Sequence, residues 1–173
     1  MDIVDLLSDQ HRQVELLFQQ FETSTGAESK GNLARDVVTL LSKHSGVEEV
    51  DVYPVIKNEV SEPAADSLTH EHQELKEILA DIEKADPGTA ELDALMARAR
   101  SAVQAHVAEE EGQVFPMMRQ QFSADRLDEL AEKAMSKWDS APTHPHPNQP
   151  PANKVTGPIV GLMDKARDAL SGD

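Results

Sequence analysis

The sequence predicts an all-α protein: an antiparallel four-helix bundle with an extra short helix and a Pro-rich tail ending in a short amphipathic helix. Three observations predict it. Apolar residues recur at alternating helical steps of about three and four in four successive stretches. Sustained β-branched alternation and Asn-Gly or Asp-Gly hairpin turns are missing from the sequence. The links between the four stretches are short, as antiparallel neighbours require. With 173 residues, 39% of them hydrophobic, the chain has the length of one domain plus an appendage and enough apolar residues to bury a core. Aromatics make up only 3%, so that core is built from Leu, Val, Ile, Ala and Met.

The first stripe is Leu7, His11, Val14, Phe18 and Phe21, and Thr23-Ser24-Thr25-Gly26 ends it. The second is Leu33, Val37, Leu40, His44 and Val47; its helix runs on to about Val60, kinked or rewound near Pro54, which lacks a backbone donor. Ser61-Glu62-Pro63 then reads as a cap with proline in the first turn. The third stripe is Leu68, His72, Leu75, Leu79 and Ile82, stopped by Asp86-Pro87-Gly88. The fourth is Leu92, Leu95, Ala99, Ala102 and His106, continuing through Glu110 toward Pro116. These four form a bundle over residues 1–122. Residues 123–140 add a shorter helix with Leu127, Leu130, Ala131 and Ala134 on its apolar side. Residues 141–173 are a linker with five prolines between 141 and 153, and a helix from Gly157 to Leu170. The apolar side of that helix is Ile159, Val160, Leu162, Met163, Ala166 and Leu170. Composition leaves open whether it docks on the bundle, serves a partner or is loosely held.

Charge excludes several function classes. The 16 Lys and Arg against 32 Asp and Glu give −16, which opposes nucleic acid and anionic lipid alike. Without cysteine there is no disulfide, thiolate nucleophile, Fe–S cluster or Cys-ligated zinc. The acidic start Met1-Asp2-Ile3-Val4-Asp5 is unlike a signal peptide, and no stretch approaches a membrane span, so the expected location is cytoplasmic.

The four helices are two copies of one helical pair. Shifted by 62 positions, His44, Glu48, Glu49, Val52, Tyr53 and Pro54 fall on His106, Glu110, Glu111, Val114, Phe115 and Pro116. Shifted by 61, His11, Val14, Leu17, Phe18 and Phe21 fall on His72, Leu75, Ile78, Leu79 and Ile82. Each half supplies a histidine from its first helix and a His-x-x-x-Glu pair from its second, residues that share a helix face one turn apart. All four histidines stand where an apolar stripe calls for leucine. Burying four imidazoles and two carboxylates costs many kcal/mol unless a cation compensates. The candidate metal ligands are therefore His11, His44, Glu48, His72, His106 and Glu110.

Other candidates fall away. His70 lies with Glu74, Glu77 and Asp81 on the polar face of its helix, and His144 and His146 sit in a linker that offers no preorganised site. Glu15 flanks the site, and Glu49 and Glu111 lie about 100° round from Glu48 and Glu110, as outer or solvated residues. Six ligands exceed one tetrahedral zinc and fit two adjacent first-row ions bridged by the carboxylates. Mixed N/O donors without thiolate suit iron or manganese, with iron preferred for O₂ chemistry. Neither Glu-x-x-His nor His-Glu-x-x-His occurs.

This pattern, with Glu-Glu-x-x-x-aromatic-Pro after each His-x-x-x-Glu histidine, resembles the hemerythrin-like HHE cation-binding family over residues 1 to about 120. The His-Pro-His-Pro tail is similar to that of actinobacterial members. The resemblance implies two Fe ions per chain in an oxo- or hydroxo-bridged di-iron centre. His11 and His44 would bind one iron, His72 and His106 the other, and Glu48 and Glu110 would bridge. The oxygen carriers of the family have a further histidine where this chain has Lys76, so one protein ligand is missing unless Glu74 or a water replaces it. That departure favours decomposition of hydrogen peroxide, a catalase-like activity, over reversible O₂ carriage. The alternative is a protein that binds or senses O₂, NO or iron without turnover; iron storage fits a two-ion site poorly. Tyr53 would wall the pocket and donate a hydrogen bond to a bound oxygen species, with Phe115 as its counterpart. The expected partners are small molecules, O₂, H₂O₂ or NO, with neither nucleic acid nor membrane; no protein partner is indicated.

Overall fold

The computed structural model describes residues 1–148 and 157–171, the last helix with its side chains from 161 to 169. It is all-α, with no strand among the described residues. Helix α1 (Ile3–Thr23) pairs with α2 (Ala27–Val47), and α4 (Glu62–Ile82) with α5 (Ala90–Glu109). Contacts of α2 with α4 and of α1 with α5 close the ring. The starts follow local chemistry. The side chains of Asp2, Ser61, Thr89 and Ser123 each accept a backbone N–H of the first turn, each cap worth about 1 kcal/mol.

The long second helix is rewound rather than kinked. A π turn at Glu48–Val52 leads into α3 (Tyr53–Val55), and a second π turn at Ile56–Val60 follows. A matching π turn at Glu110–Val114 leads from α5 into α6 (Phe115–Gln121). Both wide turns directly precede the Tyr53-Pro54 and Phe115-Pro116 steps. Proline clashes with the carbonyl four residues back, and the extra residue of a π turn relieves that clash. The widening also re-aims Tyr53 and Phe115 toward the bundle interior, where each is 3% exposed.

The apolar core is in two pieces. One holds Leu7, Val52, Ile56, Leu68 and Met118; the other holds Val14, Phe18, Leu41, Leu75, Leu79 and Met96. On α1 the break between Leu7 and Val14 falls at His11, and on α4 the break between Leu68 and Leu75 falls at His72. A polar layer thus crosses the bundle, flanked by apolar packing that contributes about 1.5–3 kcal/mol per buried large side chain.

Helix α7 (Ala124–Trp138) covers α1 and α2. Asp51, in the π turn beneath it, has a fully buried side chain that accepts from Lys137 at 2.6 Å and lies 3.0 Å from Lys133. The terminal helix α8 (Gly157–Ser171) docks on the bundle. Gly161 and Asp164 are buried, whereas Leu162 and Met163 are 70% and 66% exposed and Ala166 is also exposed. Among the described residues, the contacts that hold this side are polar ones of Asp164 and Asp168. The side chains of Ile159, Val160 and Leu170, and linker residues 149–153, lie outside the described residues. No helix among the described residues is long and apolar enough to cross a membrane.

Candidate metal centre

The structure brings all six candidate ligands together in the polar layer, each at most 6% exposed. Two groups form. His11, His44, Glu48 and Glu110 make one, and Glu48, His72 and His106 make the other, with Glu48 common to both. Nε2 of His44 lies 3.1 Å from Glu48, and Nε2 of His72 lies 3.4 Å from the same carboxylate. Glu110 is 3.3 Å from Nε2 of His11 and 3.4 Å from Nε2 of His106.

What lies behind each ring fixes which nitrogen faces inward. Nδ1 of His11 meets Glu111 at 2.9 Å, Nδ1 of His44 meets Gln10 at 2.7 Å, and Nδ1 of His106 meets Glu71 at 2.7 Å. Nδ1 of His72 lies 3.4 Å from Glu49. An oxygen acceptor behind each ring draws the proton to Nδ1 and leaves the Nε2 lone pair pointing inward. Four Nε2 atoms and two carboxylates then face one another across 3.1–3.4 Å. Nε2 of His11, Nε2 of His44, both Glu48 oxygens and Oε2 of Glu110 have no hydrogen-bond partner. Acceptors converging without donors, in a dry interior, fit positive ions between them.

The electrostatics agree. Burial pushes Glu48 well above the usual carboxylate range, with Glu110 adding to it. Burial likewise pushes His44 well below the ordinary histidine value, helped by His11, and burial lowers His72. Burial opposes charge on His106 as well, but Glu110 and Glu71 outweigh it and raise His106 to about 10. Burial of Glu110 is outweighed in turn by His106 and His11, which hold it well below 4.5. Without metal, His106 is the ring that the two carboxylates favour in its charged form.

Tyr53 takes a more central place than a wall residue. Its hydroxyl donates to Oε1 of Glu110 at 3.1 Å and lies 3.0 Å from Nε2 of His72 and 3.3 Å from Nε2 of His106. Burial, then Glu110 and Glu48, raise its pKa well above 10, so it holds its proton. Phe115 stacks on His11, centroids 5.9 Å apart and planes 2° apart.

Lys76 does not stand in for a fifth histidine at the centre. Its ammonium donates to Glu49 at 2.8 Å, and Glu49 in turn backs His72. Burial alone would raise Glu49, but His72 and Lys76 bring it down to about 2. Glu74 does not replace the missing ligand either, being exposed and 3.4 Å from His70, which is 75% exposed. Glu15 pairs with Arg100 on the surface. His144 and His146 lie away from the centre, bound to other carboxylates.

Gln10 and Glu71 were not singled out by the sequence reading, yet a signal existed. They are equivalent under the same shift of 61, each directly preceding a candidate histidine, just as Glu49 and Glu111 each follow a candidate glutamate.

Comparison with known proteins identifies relatives of this chain. A hemerythrin-like protein of Schizosaccharomyces pombe, itself uncharacterized, is 26% identical over 174 residues, covering 97% of this chain and 86% of the relative. A DNA nickase of Nostoc sp. is 24% identical over 131 residues, covering 76% of this chain, which spans 37% of the nickase's length. In three dimensions the chain is similar to a crystal structure of a hemerythrin HHE cation binding domain-containing protein from Mycobacterium kansasii, with a TM-score of 0.70 at 17% identity. That likeness covers 80% of this chain and 85% of the other. Residues 2–118 match the hemerythrin HHE cation binding domain, and residues 64–139 match it again. The chain belongs to the hemerythrin HHE cation-binding domain family.

Proposed function

We propose that His11, His44, Glu48, His72, His106 and Glu110 hold two iron ions and that the protein converts hydrogen peroxide to O₂ and water. The convergence of unpartnered Nε2 and carboxylate atoms carries the metal assignment. The oxygen and nitrogen donor set, without thiolate, supports iron. Bound iron would supply the redox chemistry by which two electrons and two protons pass from one peroxide, oxidised to O₂, to a second, reduced to two waters.

The protein's own residues do the rest. Gln10, Glu49, Glu71 and Glu111 hold the four rings so that each Nε2 stays turned inward. Tyr53 keeps a proton on its phenol oxygen 3.1 Å from Glu110, placed to donate to an oxygen species in the centre. Leu40, Leu41, Leu75 and Val103 line a cavity of about 10 Å³ above the four histidines. It has room for about one water-sized molecule.

Two irons per chain are expected by metal analysis, with near-ultraviolet charge-transfer bands. One zinc per chain, with no such bands after iron reconstitution, would overturn the assignment. For the reaction, iron-loaded protein should evolve O₂ from peroxide while a His106→Ala variant does not. A reduced protein that forms a long-lived oxygenated complex and evolves no O₂ would instead make it a binding or sensing protein.

A further inference from the structure

The tail is held by an arrangement of charges that has its own chemistry. Asp164 of α8 is 2% exposed, and its Oδ2 accepts the backbone N–H of Thr143 at 3.0 Å and of His144 at 3.2 Å. Nε2 of His146 lies 3.0 Å from its Oδ1. One turn on, Asp168 accepts from the Thr143 hydroxyl at 2.9 Å and meets Nε2 of His144 at 2.7 Å. The other ring nitrogen of His144, Nδ1, pairs with Glu83 at the end of α4. A neutral imidazole has one N–H, so a ring that faces a carboxylate from each nitrogen satisfies both only as the imidazolium. Three segments of chain meet at this ring: α4, the linker and α8.

The linker they secure crosses the helices that carry the centre. Pro142 lies against Gly46, where a Cβ would sit 2.9 Å from its Cδ, and Gly46 stands between His44 and Glu48. Farther on, Gln73, next to His72, donates to the carbonyl of Pro147 at 2.7 Å. At Gly161 a Cβ would sit 1.9 Å from the carbonyl oxygen of Ser140, so the backbone of α8 rests directly on the start of the strap. Residues 141–148 thus form a strap across α2 and α4, and α8 is its buckle.

We propose that this strap is proton-operated: it is closed while His144 is an imidazolium between Glu83 and Asp168, and it releases when the ring becomes neutral. The groups facing His144 are Glu83 from α4, Asp164, Arg167 and Asp168 from α8, and His146 on the strap itself. Burial and Arg167 oppose the charge on His144, but Glu83 and Asp168 prevail and raise its pKa above 6.5. Docking energy from this ring is therefore present below the ordinary histidine value and lost as pH rises through the raised one. Asp164 has the opposite sense. Burial opposes its charge, but His146 and the backbone N–H groups of His144 and Thr143 hold its pKa below 3.8. Its contribution is present above the ordinary aspartate range and lost only in strong acid. The strap is tightest in weak acid and opens on the alkaline side.

Amide hydrogen exchange on the full chain tests this, with rates corrected for their intrinsic pH dependence. Between about pH 6 and about pH 9, protection of α8 and the strap should fall about tenfold or more while α1 and α5 stay unchanged. His144→Gln, neutral at every pH, should show the low protection throughout. The His144 ring, followed by NMR, should titrate at its ordinary value in a Glu83→Gln/Asp168→Asn variant. Protection that is equal at the two pH values in the wild type, whether high or low, would overturn the proposal. So would a His144→Gln protein that keeps the wild-type pH response.

Discussion

Glu110→Ala should lose its iron and melt about 10 °C below the iron-loaded wild type, as should chelator-stripped wild type. The carboxylate faces His11 at 3.3 Å and His106 at 3.4 Å and is fully buried, so no water stands ready to replace it. An ion bound about a thousandfold below its working concentration stabilises the fold by about 4 kcal/mol, and about 2–4 °C accompany each kcal/mol in a chain of this size. His44→Ala should behave in the same way. His70→Ala should change neither iron content nor melting, because that ring is exposed on the opposite face of α4. Equal losses at His70 and His72 would overturn the ligand assignment.

Lys76→Met should destabilise the protein by about 3–5 kcal/mol, a larger effect than any surface charge change produces. The ammonium is a cation paired with Glu49, itself 3% exposed, and removing it takes a charge partner from a buried carboxylate. Adding Glu49→Gln should recover much of the loss, and a double-mutant cycle measures the coupling. The pH profile gives a second readout. Glu49 is held at about 2 against an ordinary 4.5, so it contributes about 3 kcal/mol above its ordinary value, lost as pH falls toward 2. In metal-free protein, Lys76→Met should flatten that acid limb. An unchanged limb would mean that Lys76 does not stabilise the ionised Glu49.

The residues that meet in the polar layer were legible because each breaks a local rule. A histidine in a leucine position is conspicuous, and four of them in phase with two glutamates point at one another once the helices are paired. The π turns were not legible beyond a disturbance near Pro54, since proline signals that a helix must adjust without saying how. The place of Tyr53 depends on that adjustment, so its distance of 3.0 Å from His72 could not be read from spacing. That Lys76 adds no ligand was legible from its type, but its pairing with Glu49 depends on the reach of its long stem, which spacing does not give. The docked face of α8 was hidden because hydrophobic periodicity carries no information about buried ion pairs such as that of Asp164 and His146.

The duplicated halves differ at one decisive point. Where the first half places Tyr53, whose hydroxyl reaches His72 and His106, the second places Phe115, whose ring lies flat against His11. Near-symmetric ligands are thus set in unlike surroundings, a protic one beside His72 and His106 and a hydrocarbon one beside His11. Two irons held there would be distinguishable nuclei. Mössbauer spectra of the loaded protein should resolve two quadrupole doublets of equal area, and Tyr53→Phe should draw them together.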